Sequence, residues 1–208
     1  MTMRPVIDIH HHGATAPLDA VTSFSVGQPL PQGDGLLSVG VHPWWGSEVD
    51  IDLQITEIER IATFNPRVVA IGEAGIDTLT SLPLTTQTGL FSRQIELSER
   101  LHKPLIIHSV RAAHMILALR KRLRPVQPWA IHGFRGNPAQ ACQLTGQGIY
   151  LSFGQRFNPD SILAIPRHLI LAETDESPMA ITRIIESFPP EITPELIIHN
   201  TASFLAIP

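Results

Sequence analysis

The sequence predicts an α/β fold, a (β/α)8 TIM barrel in which the first one or two outer helices are missing or vestigial. Three observations lead to this prediction. Eight short aliphatic or β-branched runs recur along the chain, and each ends in polar or glycine residues. Most runs are separated by stretches with apolar residues three and four positions apart, which is the spacing of a helix. The runs themselves are almost continuously apolar, as is typical of parallel strands covered on both faces.

The eight predicted strands follow one another without an internal repeat or an obvious linker, so we expect residues 1–208 to form a single domain. In chain order they are VIDIHHH (6–12), VTSFSV (21–26), LLSVGVHP (36–43), VVAIGEAGID (68–77), PLIIHSV (104–110), PWAIHGF (128–134), IYLSFG (149–154) and HLILAETD (168–175). The clearest helical segments between them are QTGLFSRQIELSERLH (87–102) and RAAHMILALRKRL (111–123).

The connections that follow the first two strands are too short for a complete crossover helix. Eight residues separate His12 from Val21, and the next link, GQPLPQGDG (27–35), is rich in proline and glycine. A βαβ crossover needs at least about ten to twelve residues. We therefore expect this side of the barrel to be covered in another way, and a homo-oligomer formed through this face is one hypothesis.

Composition narrows the class of protein. With 43% hydrophobic and 16% charged residues the chain is an ordinary globular sequence, and no apolar run is long enough to span a bilayer. The N-terminal MTMRPVIDI lacks the apolar region of a signal peptide, and the single cysteine, Cys142, excludes an intramolecular disulfide and a thiolate zinc site. These features favour a cytoplasmic location.

The net charge of −4 argues against a nucleic-acid-binding module, but less against an enzyme whose bound cations would attract an anionic substrate.

The first predicted strand runs directly into three consecutive histidines, within VIDIHHHG (6–13). Side chains alternate between the two faces of a strand, so His10 and His12 point to one face together with Asp8, and His11 points to the other. Two imidazoles at this spacing can ligate one metal ion. On its own an H-x-H pair also fits a polar loop, so the interpretation as a metal site requires further ligands elsewhere.

Ligand-type residues end four more of the predicted strands. The C-terminal strand ends of a barrel converge on one mouth, where these side chains would meet the histidine pair. The set makes four imidazoles and two carboxylates, enough for two divalent ions bridged by Glu73 and a water. Such nitrogen and oxygen donors favour zinc, and they also accept manganese, cobalt, iron or magnesium. The predicted metal ligands are His10, His12, Glu73, His108, His132 and Asp175.

The same residues lie in motifs that resemble those of the TatD-type metal-dependent deoxyribonucleases of the amidohydrolase superfamily. In order along nearly the whole chain the motifs are DIHHH, GVHP, IGEAGID, PLIIHS, HGFRG, YLSFG and AETDESP, followed by the closing segment ITPELIIHNTASFL. The resemblance implies a (β/α)8 barrel that hydrolyses phosphodiester bonds with divalent metals, in some members as a 3′-to-5′ exonuclease. With Glu73 as the bridge, it implies one metal bound by His10, His12 and Asp175 and a second bound by His108 and His132.

The predicted chemistry is hydrolysis by a water or hydroxide held between the two metals, whose charge lowers the pKa of that water. Asp175 is expected to be the general base, and Glu73 the second catalytic residue through its bridging position. His42, Arg111 and Arg135 are expected to bind the substrate phosphate. Alternatively, His42 is a turn residue whose conformation is set by Pro43, and Arg111 and Arg135 are solvated.

Five further residues have two open interpretations. Asp8, Asp77 and Glu173 are candidates to orient metal-bound histidines, and structural charge pairs are the alternative. Trp44 and Trp45 would either stack on a nucleic-acid base or pack over the barrel rim where helices are missing.

The leading functional hypothesis is a cytoplasmic metal-dependent phosphodiesterase that acts on DNA or on nucleotide ends. A second hypothesis keeps the metal site but changes the substrate to an ester, a lactone or an amide, because one barrel mouth supports many hydrolyses through different loops. Glutamate at position 73, rather than a lysine that could be carbamylated, favours the nuclease branch. A third hypothesis is a non-catalytic metal-binding scaffold.

Overall fold

The computed structural model describes residues 5–45 and 50–207 and confirms the predicted fold class. Eight parallel strands pair in the order of the chain, β1 to β8, as the barrel prediction requires. The strands are β1 Asp8–His11, β2 Ala20–Ser25, β3 Leu36–Gly40, β4 Val68–Asp77, β5 Leu105–Val110, β6 Trp129–Ile131, β7 Ile149–Phe153 and β8 Ile170–Ala172.

The barrel closes where the segment after β8 meets β1. The backbone N–H of Asp175 donates to the carbonyl of His10 at 2.9 Å, and the N–H of His12 donates to the carbonyl of Asp175 at 3.1 Å. The buried carboxylate of Asp8 extends this seam, because it accepts hydrogen bonds from the hydroxyl and the backbone N–H of Thr174 at 2.6 and 3.1 Å. Side chains of β1 and of the segment after β8 are therefore held in fixed register.

Seven helices of the described chain lie outside the strands, and a single 3₁₀ turn, Arg167–Leu169, precedes β8. Among the described residues no helix is both long enough and apolar enough to cross a membrane. The cytoplasmic location stays a prediction. The helices are α1 Ile51–Phe64, α2 Leu84–Leu101, α3 Ala113–Leu123, α4 Pro138–Thr145, α5 Pro159–Leu163, α6 Ile181–Glu186 and α7 Pro194–Leu205.

The expected absence of the first two outer helices is correct, and two loops take their place. The described chain holds no helix between β1 and β2 or between β2 and β3. Instead the two loops pair with each other: the N–H of Ala16 donates to the carbonyl of Gln32 at 2.7 Å, and the N–H of Gln32 donates to that of Ala14 at 2.9 Å. Phe24 of β2 is buried, and Leu18 and Leu30 on the two loops are half exposed. A homo-oligomer through the face that lacks helices stays a prediction.

The inside of the barrel is divided into an apolar base and a polar mouth. Residues two positions apart on a strand share a face, so Ile106 points inward below His108, and Ala130 points inward below His132. These apolar residues form one buried cluster with the end of α7, where Phe204 is fully buried. The C-terminal turn of α7 therefore fills the N-terminal end of the barrel. The side chains predicted to bind metal occupy the opposite end.

Candidate metal centre

A single buried carboxylate, Glu73 of β4, lies at the centre of the barrel mouth. One of its oxygens, Oε2, lies 3.2 Å from His12 Nε2 and 3.3 Å from His10 Nε2. Its other oxygen, Oε1, faces three imidazole nitrogens, namely His108 Nδ1 at 2.6 Å, His132 Nε2 at 2.6 Å and His42 Nε2 at 3.1 Å. Five histidines from the ends of four strands, β1, β3, β5 and β6, therefore converge on one side chain.

Asp175 completes the predicted set from the barrel seam. Its Oδ1 lies 3.9 Å from His10 Nε2 and 3.8 Å from His12 Nε2. Its backbone is in the left-handed region, with a φ of 54°, a conformation that Asp tolerates better than most residues. The backbone hydrogen bonds of the seam hold it there, so the geometry that closes the barrel also aims this carboxylate into the mouth.

Polar side chains lie behind three of these rings and form hydrogen bonds with two of them, His10 and His108. Ser23 Oγ lies 2.9 Å from His10 Nδ1. Asp77 Oδ2 accepts a hydrogen bond from His108 Nε2 at 3.3 Å, as predicted from the sequence for this carboxylate. A carboxylate oxygen of Glu173 lies 3.7 Å from His132 Nδ1 and accepts the backbone N–H of Gly133 at 2.7 Å.

The prediction that Asp8 orients a metal-bound imidazole is wrong. Its carboxylate accepts hydrogen bonds from Thr174 and from the backbone N–H of His10 at 3.2 Å, and so it fixes the backbone of the seam. The register of β1 shifts between Asp8 and His11, with Asp8 beside Ala20 and His11 beside Thr22, so regular alternation does not carry Asp8 to the face of His10. Burial raises the pKa of this carboxyl to about 7.

The electrostatics of the mouth are dominated by Glu73. Burial alone would raise the pKa of Glu73, but the charges of His132 and His10 and hydrogen bonds from the surrounding rings lower it well below 4.5. Burial alone would lower the pKa of His132, and the negative charges of Glu73 and Glu173 raise it well above 6.5. Burial and the neighbouring His132 lower the pKa of His10 to about 4. The mouth is thus built around an ionised carboxylate that needs positive charge beside it.

The donor set fits divalent cations. The Nε2 atom of His10 is buried and has no hydrogen-bond partner among the described residues, although it lies beside two carboxylates. A bound cation would use this lone pair, since neutral imidazole is a common metal ligand. Three sets of three donor atoms lie within 4.8 Å of one another: His10, His12 and Glu73; His10, His132 and Asp175; and His42, Glu73 and His108.

The candidate metal centre lies between two clefts. The larger, about 500 Å³, is lined by His108, His132 and Asp175 and by the two arginines predicted to bind phosphate, Arg111 and Arg135. The second, about 410 Å³, lies over β1 to β3 and is lined by the predicted phosphate ligand His42 together with Trp44, Trp45 and Glu176, among others. A substrate could therefore approach Glu73 from either side.

The two arginines of the first cleft form no ion pair with a carboxylate of the described residues. Among the described residues, no carboxylate oxygen lies within 4.0 Å of the guanidinium nitrogens of Arg111, Arg135 or Arg156. Arg156 lines the adjoining cleft of about 260 Å³ together with Arg135. The sequence reasoning missed Arg156, although its position just after β7 matches that of Arg135 after β6 and could have identified it.

The two tryptophans differ in their contacts. Trp44 donates its indole N–H to Asp77 Oδ2 at 2.6 Å, and its ring lies edge-on to His42 at 4.8 Å between centroids. The side chains of Trp44 and Trp45 are both more than half exposed. Sequence reasoning did not identify the hydrogen bond from Trp44 to Asp77, because the two residues are 33 positions apart and no local pattern joins them.

The TatD related DNase family model matches residues 31–197 of the chain. The chain is 29% identical over 165 residues to a 3′-5′ ssDNA/RNA exonuclease TatD of Erwinia amylovora. The alignment covers 74% of this chain and 62% of that protein. It is 29% identical over 156 residues to the deoxyribonuclease Tat-D of Schizosaccharomyces pombe, covering 66% of this chain and 50% of that protein. The chain thus spans about half to two thirds of the length of the curated relatives that it matches.

A comparison of structures agrees with the comparison of sequences. The crystal structure of YjjV, a TatD homolog from Escherichia coli K12, superposes with a TM-score of 0.80 at 20% identity and covers 98% of this chain and 99% of that chain. At this identity the likeness establishes the fold alone. The family match over most of the sequence establishes more: the chain belongs to the TatD related DNase family.

Proposed function

We propose that the protein is a metal-dependent phosphodiesterase that hydrolyses DNA or nucleotide-type phosphodiester bonds with two divalent cations. The observation that carries the proposal is the convergence of five imidazoles on Glu73, with Asp175 3.8 Å from the nearest of them. No structural role needs so many titratable groups at one point, and cations explain why they converge there. Zinc is the cation that we expect first.

The proposed ligands are the six residues predicted from the sequence. Glu73 would hold both cations, because each of its two oxygens faces a different group of imidazoles. The proximity of His132 to both His10 and Asp175 leaves two ways to divide the remaining donors between the cations. We retain as the proposal the division with His10, His12 and Asp175 at one cation and His108 and His132 at the other.

The reaction assigns separate tasks to the residues of the mouth. When bound, the cations would lower the pKa of a water and polarise a phosphoryl oxygen. Asp175, partly exposed at the edge of the first cleft, would accept the proton of the attacking water and pass it toward the leaving oxygen. Arg111 and Arg135 would hold the phosphate, since a guanidinium can donate two parallel hydrogen bonds to it.

The substrate class is proposed from two kinds of support. The unpaired arginines of the first cleft suit an anionic substrate in a chain whose net charge is −4. The relative in Erwinia amylovora is named as a 3′-5′ exonuclease for single-stranded DNA and RNA, and the relative in Schizosaccharomyces pombe is named as a deoxyribonuclease. We therefore propose a nucleic-acid strand or a short oligonucleotide as the substrate.

The test combines elemental analysis of the purified protein with hydrolysis assays on a matched set of substrates. The substrates are a bis-aryl phosphodiester, end-labelled single-stranded DNA, the same sequence as RNA, a nicked duplex and a panel of lactones and esters. We expect about two equivalents of metal, cleavage of the phosphodiesters, and loss of activity on chelation. Asp175→Asn should lower kcat roughly 10²- to 10⁴-fold, whereas the matched control Asp160→Asn, at an exposed position of α5, should not.

Other outcomes would decide between the remaining hypotheses. Faster turnover of a lactone, an ester or an amide than of any phosphodiester would favour an amidohydrolase-type function on the same centre. Tight stoichiometric metal binding without any hydrolysis would favour the non-catalytic scaffold. Wild-type turnover in metal-loaded Asp175→Asn would remove the general-base assignment.

A further inference from the structure

His42 has a different relation to Glu73 from that of the other histidines in the mouth. Its Nε2 lies 3.1 Å from Glu73 Oε1, and its ring centroid lies 4.3 Å from that of His108. By distance alone His42, Glu73 and His108 form a possible three-donor cation site. The alternative is that His42 donates a hydrogen bond and does not ligate a cation.

The second ring nitrogen of His42 distinguishes these alternatives. The backbone N–H of Trp44 donates to His42 Nδ1 at 3.0 Å. A backbone amide can only donate, so Nδ1 must carry the lone pair while this hydrogen bond is made. A neutral imidazole carries one proton, which then sits on Nε2 and points at Glu73 Oε1. A ligating nitrogen must instead present a lone pair to the cation.

The rings of His108 and His132 differ from that of His42, because each has a carboxylate on both sides. The nitrogen of His108 that points away from Glu73 faces Asp77 Oδ2 at 3.3 Å, and that of His132 faces Glu173 Oε1 at 3.7 Å. An ionised carboxylate only accepts hydrogen bonds, so the outward nitrogen of each ring can keep a proton beside its carboxylate. The inner nitrogen of each ring can then give up its proton and present a lone pair to a cation, as a metal-bound histidine does.

We infer that His42 is a fixed hydrogen-bond donor to Glu73, with its tautomer set by the backbone N–H of Trp44, and that it is not a cation ligand. It is a positioning residue that holds Glu73 Oε1 while other side chains supply the lone pairs. Trp44 acts on both sides of the centre, since its indole N–H also holds the Asp77 oxygen that faces His108. The inference rests on the proposed function only in taking Glu73 as a cation ligand.

The decisive experiment observes the ring nitrogens directly. The protein is labelled with ¹⁵N-histidine, and long-range ¹H–¹⁵N spectra are recorded without metal and with zinc, with the His42 signals assigned from His42→Gln. We expect His42 to keep a protonated Nε2 and an unprotonated Nδ1 in both states, while signals of His108 and His132 shift as their ring nitrogens bind zinc. Loss of the His42 Nε2 proton on addition of zinc would overturn the inference.

Substitution at position 44 separates the backbone N–H from the indole. Trp44→Ala retains the N–H, whereas Trp44→Pro removes it, so the difference between them isolates the hydrogen bond to His42 Nδ1. We expect His42 to keep its tautomer in Trp44→Ala and to show both tautomers in Trp44→Pro. An unchanged tautomer in a folded Trp44→Pro protein would show that the backbone of Trp44 does not set it.

Metal stoichiometry supplies a readout that needs no substrate. His42→Gln, which keeps an N–H donor, and His42→Phe, which does not, should both bind as much zinc per chain as the wild type, whereas His108→Gln should bind less. If the phosphodiester is cleaved, His42→Phe should lower kcat about 10- to 100-fold with His42→Gln closer to the wild type. Loss of one zinc equivalent in both His42 variants would make His42 a ligand. Absence of all hydrolysis would count against the proposed function and leave the tautomer result standing.

Discussion

The two ends of the barrel use the same strands for opposite purposes. At the base, inward positions such as Ile106 and Ala130 are apolar, and the end of α7 fills the space between them. Two residues further along the same strands, His108 and His132 converge on Glu73. The base is stabilised by burial of apolar area, while the mouth concentrates imidazoles whose burial opposes their positive charge.

This contrast shows where substitutions should affect stability and where they should affect chemistry. Removal of apolar volume at the base should lower the free energy of unfolding and leave metal binding intact in the folded molecules. Replacement of a proposed metal ligand at the mouth should weaken metal binding and leave the free energy of unfolding nearly unchanged. Any variant that changes both together would show that the two ends are not energetically separate.

The largest effect on activity is expected from Glu73→Gln. The substitution keeps the shape of the side chain but removes the charge that faces five imidazoles. Loss of several kcal/mol of transition-state stabilisation corresponds to a fall in kcat/KM of about 10³-fold. Steady-state kinetics and elemental analysis test this prediction, with Glu96→Gln on the exposed face of α2 as the control. Full metal content with unchanged kinetics would contradict the central role of Glu73.

The largest effect on stability is expected from Phe204→Ala. Phe204 is fully buried at the base, with its ring 5.3 Å from that of Tyr150. Removal of a buried phenylalanine side chain costs about 3–5 kcal/mol of folding free energy. Urea denaturation should show this loss while the folded protein binds as much zinc as the wild type. Phe64→Ala, at a position 79% exposed, is the control and should change the free energy by less than about 0.5 kcal/mol.

A smaller effect on substrate binding is expected from Arg135→Gln. A hydrogen bond from a charged group contributes about 1.5–3 kcal/mol, which corresponds to roughly a 10- to 100-fold rise in KM for an anionic substrate. The metal content and the kcat should stay close to wild type, because Arg135 lines the first cleft and does not contact Glu73. Arg60→Gln, at an exposed ion pair on α1, is the control. Equal KM values for the two variants would exclude Arg135 from phosphate binding.

The smallest expected effect is a pH dependence of the metal-free protein. The pKa of His132 is well above 6.5 in the folded state, so its proton stabilises the fold below pH 6.5, and this stabilisation is lost as the pH rises through the folded pKa. The thermal midpoint of the metal-free protein should therefore fall with rising pH, by about 2–4 °C for each kcal/mol lost. Zinc should abolish this fall and release protons on binding, which calorimetry in two buffers of different ionisation enthalpy measures. Zinc binding without proton release at pH 6.5 would contradict the raised pKa.

Much of the fold could be predicted from the sequence because strand-to-strand periodicity is local. The alternation along VIDIHHH correctly separated His10 and His12 from His11, whose Nδ1 is turned to Thr22 at 3.3 Å. It wrongly placed Asp8 on the face of His10, because the register of β1 shifts between Asp8 and His11. The shortness of residues 13–20 and 27–35 correctly predicted the missing helices. Each of these inferences depends on only a few neighbouring residues.

The features that sequence reasoning missed depend on contacts between distant segments. The pairing of Ala16 with Gln32 uses backbone groups that every residue carries, so no side-chain pattern identifies it. The contact from Asp8 to Thr174 joins positions 166 residues apart, and strand parity alone suggested a different partner for Asp8. The tautomer of His42 depends on the backbone amide of Trp44, which becomes visible only when the turn after β3 is seen.

The seam between β1 and the segment after β8 has a consequence for how the protein is made. Asp175 can aim its carboxylate at His10 only when its own backbone pairs with that of His10 and His12. On the ribosome the histidine pair emerges first, so a cation that met the growing chain would find only part of the proposed ligand set. Tight binding of the proposed cations would therefore wait until residue 175 has emerged and the two ends of the sheet have joined.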